Sequence, residues 1–320
     1  LKLWDVATGR HLRTLSGHAA SVDECVVLPE SPGRGPRAVS ASYDATLKVW
    51  DLETGQALAT MQGHSGWVSS CAALPDTGGG EARVLSAAMD GTVRLWDARS
   101  GQQLKSLVGH SDSVTTCAVL PDGERVVSAS ADGTLRIWRL ASGQQLQVLH
   151  GHKASVDRCM VVGAVPPGGD AERVLSASAD STLKLWDAAT GAHLSTLAGH
   201  TAWISACDVL PARPGDPPRV VSASGDETLR IWDPASGQAL HVLRGHQAPI
   251  YACAALPLAA DGRRRVVSAG GDGALKIWDA DSGECLATVY GTPAGFFSVR
   301  AAAGWIFAGD VLGNVWMLHC

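Results

Sequence analysis

The sequence predicts an all-β chain assembled from tandem copies of one four-stranded unit. Three observations carry this. Trp recurs at Trp4, Trp50, Trp96, Trp138, Trp186, Trp232 and Trp278, at spacings of 46, 46, 42, 48, 46 and 46. Thirteen residues after each stands a Gly, at Gly17, Gly63, Gly109, Gly151, Gly199, Gly245 and Gly291. The segments between follow the strand period of two, and a fixed period of about 20–50 residues marks a repeat architecture.

The third copy shows the elements in order. Residues 125–128 (Arg-Val-Val-Ser) and 134–138 (Thr-Leu-Arg-Ile-Trp) are β-branched or alternating, which suits strands. Asp132-Gly133 between them is a tight-turn signal. Ala141-Ser142-Gly143 marks the next turn, and residues 145–149 read as an outer strand. The loop ahead of residue 125 absorbs the length variation between copies. It is short here, long at 163–173, and Gly-rich at 76–80 without the Gly-Lys-Ser/Thr ending of a phosphate loop.

Composition narrows the function classes. A length of 320 residues is room for two domains of roughly 150, yet the repeat runs throughout, so residues 1–320 read as a single domain. A net charge of −5 leaves no basic footprint for nucleic acid. The longest nearly apolar stretch, 251–260, is too short for a membrane helix and contains Pro257. The opening Leu1-Lys2-Leu3-Trp4-Asp5 has no leader pattern and begins inside a repeat, as in a piece of a longer multidomain protein.

Other positions recur with the same discipline. His follows the first six Gly, at His18, His64, His110, His152, His200 and His246. Asp precedes Trp by six, at Asp44, Asp90, Asp132, Asp180, Asp226 and Asp272. Ser precedes each Asp by four, at Ser40, Ser86, Ser128, Ser176, Ser222 and Ser268. His, Ser and Asp invite a catalytic-triad reading, but six copies of one constellation argue for structure, since an enzyme needs one active site. Cys follows each His by seven, at Cys25, Cys71, Cys117, Cys159, Cys207 and Cys253. With no Cys-x-x-Cys and no zinc spacing, these read as reduced core thiols of a cytoplasmic protein, with no metal and no cofactor.

Gly-His, a variable stretch, Asp-Gly-Thr-Leu-Arg-Ile-Trp and then usually Asp resembles the WD40 repeat over nearly the whole chain. The resemblance implies a β-propeller, in which four-stranded antiparallel blades, strands a (innermost) to d, surround a channel. It implies that His, Ser, Asp and Trp of each copy form a structural hydrogen-bond chain. That role suits a buried indole N–H and a buried hydroxyl, which both need partners. The third copy departs at Arg139, where the others carry Asp after Trp, and still has its full set of four.

Seven blades are expected, the last closed by both termini. Residues 296–299, 305–308 and 314–318 supply strands a to c, and 11–15 strand d. Thr292 replaces His there. Asp310 lies six before Trp316, so one register keeps the Asp-to-Trp spacing. Aligning Gly313 with Gly133 instead puts Leu312 at the Asp position and Leu318 at the Trp position; this register is preferred because it keeps the strand b and c hydrophobics in phase, so this blade is expected to rely on packing. Residues 1–4 also read as a strand c, either the stub of an upstream repeat or the sign of eight blades.

By the resemblance, partners bind the top face, at residues three and five after each His and just before each turn Asp. Trp67 and Trp203 stand outside the structural Trp series, and Trp dominates binding hot spots. Tyr43, Met89, Tyr251, Phe297, Asp23 and Asp157 complete the candidates. Tyr43, Trp67 and Met89 are expected to form one apolar patch, with Trp203 on the far side of the ring. Trp67 and Trp203 could equally cap the channel. The best reading is a protein–protein interaction platform, itself monomeric, that binds a protein or peptide and neither nucleic acid nor membrane. The ending at 308–315 is similar to arrays attached to bacterial NACHT or NB-ARC signalling ATPases, which implies a ligand-sensing or regulatory module whose partner includes an upstream domain. Kinase, protease and TIR fusions carry similar arrays. A passive scaffold and an enzyme using Asp23, Asp157 and Arg158 at the channel mouth are the alternatives.

Overall fold

The structure, a computed structural model, describes residues 1–5, 8, 10–29, 35–74, 82–163, 172–213, 215–259, 261–291, 295–302, 304–312 and 314–319. The Gly-rich segment 76–80, most of the 163–173 insertion, Thr292 and Gly313 lie outside the described residues. The chain is all-β and antiparallel, in seven blades, with no helix among the described residues. Six blades have four strands in chain order a to d, at residues 22–62, 68–108, 114–149, 156–198, 204–244 and 250–290. The chain divides into two compact units, residues 1–151 and 152–320.

The third blade shows why these residues take this form. Strand b, Arg125–Ser130, is buried from its second residue onward: it lies between strands a and c, and Val126 packs against the second blade. Its side chains are therefore small or β-branched on both faces rather than alternating. Leu85, Leu95 and Leu107 of the second blade meet Val114, Val126 and Trp138 of the third in one core cluster. Trp138 is about 1% exposed and is the largest piece of that packing.

Strand a carries a bulge at one fixed place. Val114 pairs with Ser130 and Thr116 with Ala129, which leaves Thr115 as the extra residue. The other blades shift register at the equivalent place, so the position five after His is always the bulged one. A bulge re-aims a side chain, and this one decides where variable residues point.

In the sheet formed by Phe296–Ala302, Trp305–Asp310 and Val315–His319, Ala308 pairs with Val299 and with Trp316. Ser128 pairs likewise with Cys117 and Arg136. Leu318 thus takes the place of Trp138 and Leu312 that of Asp132, the expected register. Phe296, Val299, Ile306 and Ala308 pack against the sixth blade. The sheet does not rest on packing alone. Asp310, in the place of Ser130, accepts hydrogen bonds from Trp316 Nε1 at 3.0 Å and Asn314 Nδ2 at 2.9 Å.

His11–Thr14 is a strand, as expected, but its ladder partner is Lys2–Trp4 and not Val315–His319. Leu1 and Leu15 exchange both backbone bonds, at 3.0 and 2.9 Å. A hairpin closed over so few residues costs far less loop entropy than a pairing across the whole chain.

Cys71, Cys117, Cys207, Cys253 and Cys285 carry free thiols. Burial pushes the Cys117 thiol up to about 12, which makes it inert. Cys25 corrects the expectation of six core thiols: it is exposed, because strand a of the first blade shows alternate residues to solvent.

Candidate functional site

The recurring polar residues form one chain per blade. In the third, Trp138 Nε1 donates to Ser128 Oγ at 2.8 Å, Ser128 Oγ lies 2.8 Å from His110 Nε2, and His110 Nδ1 lies 2.8 Å from Asp132 Oδ2. Donor counting fixes the directions. The indole N–H can only donate, so the Ser hydroxyl gives its own hydrogen to Nε2, and Nδ1–H points to the carboxylate. Asp132 also takes Thr134 Oγ1 at 2.7 Å, Thr134 N at 2.9 Å and Ser111 N at 3.1 Å. The same bonds join His18, Ser40, Asp44 and Trp50, and His64, Ser86, Asp90 and Trp96. They join His152, Ser176, Asp180 and Trp186, and His200, Ser222, Asp226 and Trp232. They join His246, Ser268, Asp272 and Trp278.

Electrostatics follow from burial and bond count. Burial pushes Asp132 upward, but bonds from Thr134, His110 and Ser111 outweigh it and hold the carboxyl at about 2. Asp180 and Asp226 are held at about 2 in the same way. Burial pushes His110 down against the pull of Asp132, so the imidazole stays neutral. The serines cannot act as nucleophiles. Each is about 0% exposed, and the indole N–H fills its acceptor side. Among the described residues no cluster of His, Cys, Asp and Glu could hold a metal ion.

The variable positions lie beside these chains, and the backbone brings them together. Within each blade the N–H before the turn Asp donates to the carbonyl three after His. Tyr43 bonds Ser21 at 2.9 Å, Met89 bonds Trp67 at 2.8 Å, and Gly225 bonds Trp203 at 2.9 Å. In the first unit Tyr43 stacks on Trp67 of the next blade, with centroids 4.5 Å apart and planes at 11°. Burial, and then the Asp23 carboxylate that accepts its hydroxyl, raise the Tyr43 phenol above its ordinary value. Trp67 and Met89 stay 48% and 46% exposed.

In the second unit the aromatics form a row over three successive blades. Trp203 lies 6.1 Å from Tyr251, and Tyr251 stacks on Phe297 at 4.3 Å and 16°. Tyr251 and Phe297 are both bulge residues. Two glycines make room for the row. A Cβ on Gly225 would meet the Trp203 indole at 2.7 Å, and one on Gly271 would meet Tyr251 at 3.1 Å. Trp203 therefore lies flat over its own blade's turn, whereas Met89 fills the equivalent place beside Trp67. Trp203 and Phe297 are 40% and 51% exposed.

The remaining candidates have local partners. Asp157 accepts from Ser155 Oγ at 2.6 Å, and burial raises its carboxyl above the ordinary value. At the same bulge position, Ser69 and Ser205 donate to carbonyls of the next blade, Val114 at 2.7 Å and Ile250 at 2.6 Å, and so tie blades together. Composition gave no sign of one further feature. Arg264, about 1% exposed, joins Asp281 at 3.1 Å and Asp216 at 2.7 Å, and Arg219 reaches Asp281 at 3.0 Å. This network links loops of the fifth and sixth blades. No helix among the described residues is long and apolar enough to cross a membrane.

A family model described as WD40, "WD domain, G-beta repeat", matches residues 9–51, 55–97, 101–139, 143–187, 191–233 and 237–279. Among solved structures, the crystal structure of the computationally designed Ika8 protein is similar at a TM-score of 0.80 and 30% identity, over 100% of this chain and 90% of that one. No curated protein matches.

Proposed function

Because the chain belongs to the WD40 repeat family, whose propellers generally act as protein-interaction platforms, we propose that it binds a protein or peptide partner through its aromatic positions. The observation that carries this is the row of Trp203, Tyr251 and Phe297, which stands outside the repeated hydrogen-bond set yet stays partly open to solvent. Aromatic rings give large contact area at small entropic cost, so they anchor interfaces. The Tyr43–Trp67 stack is a second anchor. The repeated Ser and His serve the fold, and the chain works as a binding module rather than as an enzyme.

In this reading the chain is the ligand-sensing or regulatory module of a larger cytoplasmic signalling protein, and an upstream domain of the same polypeptide is among its partners. Free thiols fit that compartment. Trp203→Ala combined with Phe297→Ala is expected to weaken partner capture at least tenfold while the thermal midpoint stays within a few degrees. Collapse of the fold in that variant would instead make the row core. Capture measured with and without the upstream region separates a sensor, whose binding changes, from a passive scaffold, whose binding does not.

A further inference from the structure

We propose that the strand a edges of residues 152–320 carry a carboxylate-binding site, formed by Arg158 and the backbone N–H of Cys207 with Arg300 as its second cation. Strand a ends each four-stranded sheet, so one of its edges has no ladder partner. The N–H groups on such an edge take acceptors from elsewhere. In two places the chain supplies a carboxylate. Glu24 Oε2 accepts the N–H of Cys71 at 3.0 Å, and Asp208 Oδ2 accepts that of Ala255 at 2.8 Å. In both, a side chain on strand a of one blade reaches the strand a edge of the next.

Arg158 occupies the place of Glu24. Glu24 pairs with Ala41 just after the bulge, and Arg158 pairs with Ala177 likewise. Cys207 occupies the place of Cys71, since each pairs with the Ser of its strand b. Its N–H therefore faces away from strand b, as that of Cys71 does. The two strands are neighbours, with Met160 Sδ 3.9 Å from Cys207 Sγ. Where the first and second blades set a carboxylate against this N–H, the fourth and fifth set a guanidinium, and neither group can accept. Arg300 holds the place of Asp208 two blades on. Burial and the Asp208 carboxylate raise the Cys253 thiol, and Arg300 and Arg158 both pull it back, so the two guanidinium groups lie toward the same strand. Both arginines are exposed, and neither is in an ion pair with a described residue. The acids nearby are engaged: Asp157 with Ser155 Oγ at 2.6 Å, and Asp208 with the N–H groups of Val209 and Ala255, each at 2.8 Å. The ligand is a carboxylate because that is the group the chain itself sets against this edge, and a guanidinium beside an N–H matches its two oxygens. A second carboxylate on the ligand engages Arg300.

Succinate is the probe, added to the chain of residues 1–320 at constant ionic strength while the backbone amides are followed by NMR. The Cys207 amide is expected to move downfield and saturate, whereas the Cys71 amide, already bonded to Glu24, stays in place. Arg158→Gln should weaken binding at least about tenfold and Arg300→Gln several-fold, by loss of a charge-assisted bond, with the rest of the spectrum unchanged. Arg158→Glu should supply the carboxylate from within: the Cys207 amide then sits downfield without succinate, and succinate moves it no further. Arg139→Gln, at an exposed arginine of the third blade, should leave the affinity as it was. A Cys207 shift that grows without saturating overturns the proposal, and so does equal affinity in the unsubstituted chain and Arg158→Gln.

Discussion

Ser128 is the hydrogen-bond partner of two buried nitrogens, Trp138 Nε1 and His110 Nε2. Ser128→Ala leaves both buried and one bond short, which costs about 1–3 kcal/mol by the desolvation of an unsatisfied group. Urea unfolding should show that loss as a lower midpoint with the same slope, and a change below about 0.5 kcal/mol would count against the chain's structural role. Positions such as Ser128 were legible in the sequence because they repeat, and a repeated polar residue is a repeated solution to one burial problem. The row of Trp203, Tyr251 and Phe297 was legible only as separate candidates. Its members sit on different blades, and what joins them is the absence of a side chain at Gly225 and Gly271. Gly225 has no left-handed backbone, so Gly225→Ala is a clean probe: its methyl would displace the Trp203 indole while the turn stays intact. The near-ultraviolet circular dichroism is expected to change and partner binding to weaken, with far-ultraviolet signal and stability held.

At the scale of the element, the b–c turn decides how much of a blade can be read in advance. Asp132-Gly133 signals it, and Gly91, Gly133 and Gly273 take φ of 78, 79 and 74° there. Three blades lack the signal and fold alike. Ala45, Ser181 and Glu227 adopt φ of 65, 69 and 67° at the same place. The turn Asp holds them, since its Oδ1 accepts the N–H two residues on, at 3.0 Å in Asp226. A left-handed non-Gly residue costs roughly 1–2 kcal/mol, so Glu227→Gly is expected to stabilise the chain by about 0.5–1 kcal/mol after the entropy of the added Gly. Differential unfolding against Gly133→Ala, which should move the other way, checks both signs. The c–d turn tells the same story. Asp97 caps it by accepting from Arg99 N and Ser100 N at 3.0 and 2.7 Å, whereas Arg139 lacks that cap and Gly143 N still reaches its carbonyl at 2.8 Å. Strand pairing at 2–14 was the least legible element, because strand type is written in local pattern while the choice of partner is settled by loop entropy.

Across the whole molecule the chains of five blades respond to pH in the same direction, and the sign of their effect follows from which state binds more protons. Burial depresses His64, His110, His152, His200 and His246 below the ordinary value of about 6.5. The unfolded chain therefore takes up protons first as pH falls, so the stability of the neutral form is present above about pH 6.5 and is lost below it. The carboxyls act in the same direction. Asp132, Asp180 and Asp226 at about 2 lie below their unfolded value, and their contribution is present above about pH 4 and lost on the way down to about 2. Each such His adds a slope of up to about 1.4 kcal/mol per pH unit where only the unfolded state is protonated. The unit of residues 1–151 holds two of the five and that of residues 152–320 holds three. Urea midpoints are thus expected to be flat from pH 8 to 7, to fall from about pH 6.5, and to fall again below about pH 4. Hydrogen exchange should show residues 152–320 losing protection more steeply than residues 1–151 in the first stage. A stability maximum near pH 5 would mean that the His–Asp pairs are imidazolium–carboxylate salt bridges, with His raised rather than lowered, and would reverse the proton placement derived from the indole and the serine.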